Sequence, residues 1–165
     1  MKTSKLILAS SSPQRLSLLK TIGIQPDKVV PANIKEIPDK KETPKDFVIR
    51  MSKEKAFDVA KENSNSFILS GDTIVAAGRK IIGKPSDRNE AKEILSLLSG
   101  RRHRVLSAFT LIKPNLKEIT KLVTSKVKFS RLSENDLNEY LRNNRFKQIS
   151  ELALSKSELS EWRIY

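Results

Sequence analysis

Short apolar runs alternate along this chain with segments of helical periodicity, and this alternation constrains the fold more than any other feature. Leu6–Ala9 is typical of a short buried strand, and the following Ser10–Pro13 stretch is typical of a helix start. Thr43-Pro44 predicts the start of a second helix, and Ser86 is predicted to cap a third helix that ends before Gly100. Strands that interleave with helices in this way predict an α/β domain with a mixed sheet.

The remaining apolar runs add further strands. Phe67–Leu69 reads as a strand that leads into Gly71-Asp72-Thr73, where we expect the strand to break. A hairpin is predicted next, with Gly78 in its turn. Two longer strands follow, over about 103–112 and 119–131, and a last helix begins near Ser133 with acidic residues in its first turn. The first helix is expected to bury an apolar face made of Leu16, Leu18, Leu19 and Ile22.

Composition excludes several classes of protein. The chain has 165 residues and no Cys, so disulfide frameworks, thiolate metal sites and cysteine nucleophiles are excluded. His103 is the only His, which disfavours a Ser-His-Asp triad and multi-His metal sites. No apolar run approaches the ~20 residues that span a bilayer, and the N-terminal apolar stretch is too short for a signal peptide. We therefore expect a cytoplasmic protein with no membrane partner.

The strong positive net charge of the chain suggests an anionic binding partner. Lys and Arg number 32 against 19 Asp and Glu, so the net charge is 32 − 19 = +13. Such a charge suits nucleic acid, an anionic membrane surface or a phosphorylated small molecule, and it also suits a merely solvated surface. Aromatic residues are only 5% and do not interleave with the basic ones, which disfavours nucleic acid.

Three short motifs could carry chemistry. Ser10–Arg15 places hydroxyls, backbone N–H groups and an Arg at a helix N-terminus, as phosphate binding requires. Asp72 beside Gly71 could be a base or a metal ligand, and Lys84 lies in a constrained Gly-Lys-Pro loop. Each has a plainer interpretation, as an ordinary helix cap, a turn Asp and a loop Lys. A His such as His103 is more often a surface or core residue of a strand than a catalyst.

Five motifs occur in an order and at a spacing that resemble those of one family. They are LILASSSPQRLSLL at 6–19, VIRMSKEKA at 48–56, GDTIV at 71–75, IGKP at 82–85 and LSGRRHRV at 98–105. Together they are similar, over residues 6–140, to the Maf family of nucleoside triphosphate pyrophosphatases. The resemblance implies an elongated mixed α/β fold, like that of inosine triphosphate pyrophosphatase, with a cleft between two lobes.

The same resemblance implies an activity. Maf-like proteins hydrolyse nucleoside triphosphates, non-standard ones or dTTP and UTP, to the monophosphate and pyrophosphate with a divalent cation such as Mg²⁺ or Mn²⁺. It implies that Asp72 activates water and that Glu36 and Asp72 hold the metal. Mg²⁺ favours one or two carboxylates together with phosphate oxygens, which suits this pair. The remaining positions would bind substrate: Ser10, Ser12, Gln14, Arg15, Lys55, Thr73 and Lys84.

These substrate-binding positions divide by chemistry. The resemblance implies that Arg15, Lys55 and Lys84 neutralise the triphosphate, whereas Gln14 and Thr73 fall where the family selects the base. The phosphate loop would be formed by Ser10 and Ser12.

The chain departs from the family pattern in three places. Gln14 stands where the family has Arg, and Lys35-Glu36 replaces a pair of acids. Beyond Tyr140 the sequence no longer follows the family. We therefore expect a Maf-like domain of two lobes over residues 1–142 and an atypical tail over 143–165. The tail carries one weak amphipathic pattern, formed by Leu152, Leu154, Leu159 and Trp162.

A truncation or a frameshift would explain the tail, and it would leave the second lobe incomplete and the activity impaired. Two other functions stay open: an inactive remnant that acts as a basic binding protein, and a nucleic-acid-binding module. The oligomeric state is also open, a homodimer included.

Overall fold

The computed structural model describes residues 4–83 and 85–142. The predictions for Lys84 and for the tail over 143–165 lie outside these described residues. Within them the helices are α1 (Pro13–Thr21), α2 (Pro44–Ala60), α3 (Arg88–Leu98) and α4 (Glu134–Arg142). The strands are β1 (Leu6–Ala9), β2 (Lys28–Val29), β3 (Phe67–Ala77), β4 (Lys80–Ile82), β5 (Arg102–Ile112) and β6 (Glu118–Lys128).

All six strands belong to one mixed sheet, which confirms the predicted α/β fold class. The order is β2-β1-β3-β5-β6, and β4 pairs with β3 outside this path. β1 is parallel to both β2 and β3, with Leu6–Ala9 opposite Phe67–Ser70. β4 is antiparallel to β3, which confirms the predicted hairpin around Gly78.

The predicted strand break at Asp72 is wrong. β3 continues without interruption through Gly71, Asp72 and Thr73 as far as Ala77. β1 pairs with residues 67–70 of β3 and β4 pairs with residues 75–77, so Asp72 lies in the stretch between these two pairings. The turn-Asp interpretation fails with the break. Sheet neighbours determine the strand here, although Gly and Asp are poor strand formers.

The described residues form two compact units. The first contains the residues up to Asp72 together with Ser107–Val123. Its core is apolar and combines β1, α2, β3 and the end of β5, through Ile7, Ala9, Ala56, Val59, Ala60, Ile68 and Ile112. α2 begins at Pro44 behind the N-cap Thr43, whose side chain accepts a hydrogen bond from the Asp46 N–H.

The second unit contains the described residues of Thr73–Leu106 and those from Thr124 onward. α3 buries Ala91, Ile94, Leu95 and Leu98, an i, i+3, i+4, i+7 face that packs against Tyr140 and Leu141 of α4. Ser86 is not its N-cap, contrary to prediction. Asp87 is, and its side chain accepts from the Glu90 N–H while the Glu90 carboxylate accepts from the Ser86 N–H.

Two further sequence-based expectations have clear outcomes. α1 buries none of its residues within the described part of the chain, and Leu18 and Ile22 are exposed, so its predicted apolar face is not a core face there. His103 lies in β5, buried, with its ring centroid 6.0 Å from that of Phe129. The plainer interpretation allowed a surface or a core position in a strand, and the structure shows the core position. Among the described helices, none combines the length and apolar character that crossing a bilayer requires.

Candidate active site

The loop between β1 and α1 is organised by the hydroxyl of Ser10. Ser10 is buried, and its Oγ accepts hydrogen bonds from the Ser12 N–H (3.1 Å) and from Arg15 Nη1 (3.0 Å). Ser12 is the N-cap residue of α1, but its hydroxyl donates to Gln14 Oε1 (2.9 Å) instead of capping a backbone N–H. Pro13 opens the helix, as predicted. Arg15 lies in the first turn of α1, and its hydrogen bond to Ser10 in the loop fixes the orientation of its guanidinium group.

Gly71 allows Arg15 to lie against β3. A Cβ atom at position 71 would lie 3.3 Å from Arg15 Nε and 3.4 Å from the carbonyl oxygen of Ala108. Both distances are at or below ordinary van der Waals contact, so a side chain here would push the guanidinium away. Glycine is therefore favoured at this position by the close approach of Arg15, because the backbone here is ordinary strand and does not itself call for glycine.

The carboxylate next to Gly71 pairs with a buried lysine. Asp72 Oδ1 accepts a hydrogen bond from Lys55 Nζ at 2.7 Å, and both side chains are about nine-tenths buried. The same Nζ lies 2.9 Å from Oε1 of Glu36, whose side chain is 56% exposed. One ammonium thus joins a carboxylate from the sheet to a carboxylate from the segment before α2.

The packing of α2 on β3 explains how Lys55 reaches Asp72. Ser52 and Lys55 are three residues apart on α2 and share one face, while Ser70 and Asp72 are two apart on β3. The Ser70 hydroxyl donates to the carbonyl oxygen of Ser52, and the Ser52 hydroxyl lies 2.6 Å from Thr110 Oγ1. These buried hydroxyls fix the helix on the sheet at the height that brings Lys55 to Asp72.

Arg15 interacts electrostatically with the two carboxylates that pair with Lys55. Burial lowers the pKa of Arg15, while the negative charges of Asp72 and Glu36 oppose that shift. The centre therefore contains two cations and two carboxylates. Phosphate oxygens of a ligand can bind the two cations in place of the carboxylates. A metal ion can bind the two carboxylates in place of the cations.

Most of the predicted site residues meet in the first unit. Glu36, Lys55 and Asp72 are ion-paired. Ser10 and Arg15 are hydrogen-bonded, as are Ser12 and Gln14 on the same loop. Thr73 follows Asp72 in β3 and is partly buried. Lys84 lies outside the described residues. The roles of all these residues in catalysis or binding stay predictions.

The donor set suits a hard divalent cation that is shared with a substrate. Two carboxylates, from Glu36 and Asp72, converge on one point of positive charge. In the described part of the chain, no group of three or more His, Asp or Glu could hold an ion unaided. Mg²⁺ is commonly bound by one or two carboxylates together with substrate phosphates, which matches this pair.

Sequence reasoning missed two residues around the centre. Arg50 and Asp58, both on α2, hydrogen-bond to the segment that carries Glu36. Arg50 belongs to one of the recognised motifs, but no role followed from that. The single signal available was an Arg on a predicted helix five residues before the site Lys.

Comparisons with known proteins identify the family. Residues 5–150 match the family model described as Maf-like protein. A dTTP/UTP pyrophosphatase of Wolbachia sp. subsp. Drosophila simulans is 46% identical over 145 residues, which are 87% of this chain and 73% of that protein. A dTTP/UTP pyrophosphatase of Zymomonas mobilis is 48% identical over 138 residues, 84% of this chain and 68% of that protein.

A solved structure supports the fold. The HAM1 protein of Coxiella burnetii superposes with a TM-score of 0.52 at 13% identity, covering 92% of this chain and 98% of that protein. The residues that match the family model include all five motifs recognised in the sequence and also Glu36, which lies between the first two. With this match and relatives close to half identical, the chain belongs to the Maf-like protein family.

Proposed function

We propose that this chain is a nucleoside triphosphate pyrophosphatase acting on pyrimidine nucleotides of the dTTP and UTP type, with monophosphate and pyrophosphate as products. The observation that carries the proposal is the Glu36–Lys55–Asp72 ion-pair group with Arg15 beside it. The names of the Wolbachia and Zymomonas relatives support the choice of nucleotide. The fold neighbour supports the architecture only.

The cationic side chains and the loop hydroxyls are assigned to the triphosphate. Arg15 is already oriented by Ser10, so its guanidinium can bind phosphate oxygens with little loss of rotamer freedom. Lys55 would exchange its carboxylate partners for phosphate, and Lys84 would add a third cation. Ser10 and Ser12, before the N-terminus of α1, would contribute hydroxyl and backbone donors. Positive charge of this kind stabilises the charge that develops on the leaving pyrophosphate.

The carboxylates are assigned to the attacking water and to a divalent cation. Glu36 and Asp72 would hold Mg²⁺ or Mn²⁺ jointly with phosphate oxygens. The cation, when bound, supplies charge neutralisation and polarisation of a phosphoryl oxygen. Asp72 would also accept the proton of the water as it attacks, which suits a strand carboxylate whose position is fixed by the sheet.

Base selectivity is assigned to Gln14 and Thr73. The Gln14 amide oxygen already accepts from the Ser12 hydroxyl, which leaves its NH₂ group oriented by that bond. An amide at position 14 can both donate to and accept from a pyrimidine edge, whereas an Arg could only donate. We place the enzyme in the cytoplasm, where free nucleoside triphosphates are available.

A nucleotide panel tests the proposal. The chain is incubated with dTTP, UTP, CTP, dATP, GTP and ITP, with Mn²⁺, with Mg²⁺ and with excess chelator. We expect metal-dependent release of pyrophosphate, fastest for dTTP and UTP. Preference for ITP would overturn the pyrimidine assignment. No hydrolysis, together with salt-sensitive binding to nucleic acid, would support the nucleic-acid-binding module instead.

A further inference from the structure

The segment that carries Glu36 has no regular structure of its own. Residues 31–42, called here the Glu36 segment, contain neither helix nor strand. The side chain of Glu36 itself is more than half exposed, and it forms an ion pair with Lys55. A carboxylate on such a segment samples many positions unless the neighbouring residues are held. The structure holds them through side chains of α2.

Arg50 makes the largest set of these contacts. Its Nε donates to Glu42 Oε1 (2.8 Å) and its Nη2 to Glu42 Oε2 (2.7 Å), a two-bond fork between guanidinium and carboxylate. Nη2 also donates to the carbonyl oxygen of Ile37 (3.0 Å), the residue that follows Glu36. Glu42 in turn accepts from the Asp39 N–H at 3.0 Å. Arg50 thus fixes the segment on the C-terminal side of Glu36.

Arg50 is itself held in place from two sides. Its Nη1 donates to Glu54 Oε1 (3.1 Å), one helical turn along α2. Its guanidinium carbon lies 5.5 Å from the centre of the Phe47 ring, a cation–π distance. An Arg fixed by both of these groups can act as a rigid support for the segment.

Asp58 holds the other side of the segment. Its Oδ2 accepts from the Asn33 N–H at 2.9 Å, three residues before Glu36. Lys55, which bonds to Glu36, lies between Arg50 and Asp58 on the same helix. Three side chains of α2 therefore contact the segment in register, and the outer two contact its backbone.

We propose that Arg50 and Asp58 are positioning residues that hold the Glu36 carboxylate next to Asp72, so that the divalent cation finds both at once. This inference rests on the proposed function, because it assigns Glu36 to the metal. Neither residue is assigned to direct contact with the substrate or the cation, because the hydrogen bonds described above go to the Glu36 segment and to Glu54. Residues that orient metal ligands from behind commonly change metal affinity or activity by ~10–100-fold when they are replaced.

The test compares Arg50→Lys, Glu42→Gln and Asp58→Asn with the unmodified chain. Arg50→Lys keeps the charge and loses the fork, and Glu42→Gln weakens the fork without altering Arg50. In each variant we expect the half-saturating Mn²⁺ concentration to rise by ~10-fold or more. The KM for nucleotide at saturating Mn²⁺ should be unchanged, because Arg15 and Lys55 are untouched. A loss of stability alone would not raise the half-saturating Mn²⁺ concentration while leaving the KM for nucleotide unchanged.

Hydrogen exchange gives a second readout that needs no activity. The backbone N–H of Asn33 should exchange faster in Asp58→Asn, and that of Asp39 faster in Glu42→Gln and Arg50→Lys. Lys53→Gln is the matched control, because it removes a cation from the same helix whose partner is Glu118 of β6. It should change neither the exchange of the Glu36 segment nor the Mn²⁺ requirement.

Two results overturn the inference. The first is that backbone N–H groups of the Glu36 segment exchange no faster in Arg50→Lys and Asp58→Asn than they do in the control Lys53→Gln. The other is an unshifted Mn²⁺ requirement in those variants while the unmodified chain hydrolyses nucleotide in a metal-dependent way. Absence of metal-dependent hydrolysis in the unmodified chain counts against the proposed function instead, and the exchange measurement still decides whether Arg50 and Asp58 hold the segment.

Discussion

Lys55 Nζ lies 2.7 Å from Asp72 Oδ1, and the two side chains are buried together between α2 and β3. Breaking such a pair by removing one partner is costly, because the other charge stays buried without compensation. The pair therefore fixes the position of the carboxylate before any ligand binds. Under the proposed assignment of Glu36 and Asp72 to a metal ion, the lysine and that ion would compete for the same two carboxylates.

Replacing Lys55 should expose this competition. In Lys55→Met we expect Mn²⁺ to bind more tightly in the absence of nucleotide, by ~10-fold or more, because an ion pair in a partly buried setting is worth on the order of 1–4 kcal/mol. Binding of nucleotide without metal should weaken. Electron paramagnetic resonance of free Mn²⁺ measures the first effect, with Lys53→Met as control. Unchanged Mn²⁺ affinity would show that Lys55 does not occupy the cation position.

Gly71 provides a steric test of the Arg15 position. We expect Gly71→Ala to weaken nucleotide binding, because the new methyl group displaces the Arg15 guanidinium or the Ala108 carbonyl. Isothermal titration with a non-hydrolysable nucleotide measures the effect. In an Arg15→Ala background the same change should add little, since interacting residues are not additive. Full additivity of the two substitutions would contradict the proposed contact.

The cationic residues should differ from the general surface charge. Arg15→Ala and Lys84→Ala should each weaken nucleotide binding by ~10–150-fold, the equivalent of ~1.5–3 kcal/mol for a charge-assisted hydrogen bond. Lys117→Ala, an exposed change in the turn before β6, should have no effect. Equal effects at all three positions would indicate diffuse attraction by the +13 net charge instead of a built site.

The secondary structure of this chain was largely predictable, because Gly, Pro and capping residues mark its element boundaries. Leu6–Ala9 and the helix after Thr43-Pro44 are as predicted. Asp72 was misplaced at a break because the local pattern of Gly and Asp argues against strand, whereas pairing with neighbouring strands decides the outcome. Local sequence periodicity does not reveal which distant strands will pair.

The candidate site was predictable in membership but not in geometry. The motifs supplied Ser10, Arg15, Lys55 and Asp72, the wider resemblance supplied Glu36, and all five lie in one unit of the structure. The ion pairs between Lys55 and two carboxylates did not follow from the sequence, because they depend on the height at which α2 packs on β3. The supporting contacts of Arg50 and Asp58 were missed for a similar reason, since an irregular segment has no periodicity to read.

His103 should make stability depend on pH, without a role in catalysis. In the described part of the chain its buried Nδ1 has no hydrogen-bond partner, and burial lowers its pKa. Above the unfolded-state pKa of ~6.5 both states are neutral. As the pH falls below that value the unfolded state takes up the proton first, so stability is lost progressively toward the folded-state pKa.

Thermal unfolding between pH 5 and pH 8 measures this dependence. We expect the Tm of the unmodified chain to fall as the pH drops below ~6.5, and the corresponding fall to be smaller in His103→Leu. Parallel curves for the two proteins would show that His103 does not contribute.

The most direct measurement is product analysis with Asp72→Asn. The unmodified chain, given dTTP and Mn²⁺, should release monophosphate and pyrophosphate in equal amounts. Asp72→Asn should slow this reaction by ~10²–10⁴-fold, the usual contribution of a positioned base. Asp87→Asn, the control, should retain full activity, because Asn caps a helix as well as Asp does. Full activity in Asp72→Asn, or products that are diphosphate and orthophosphate, would contradict the account.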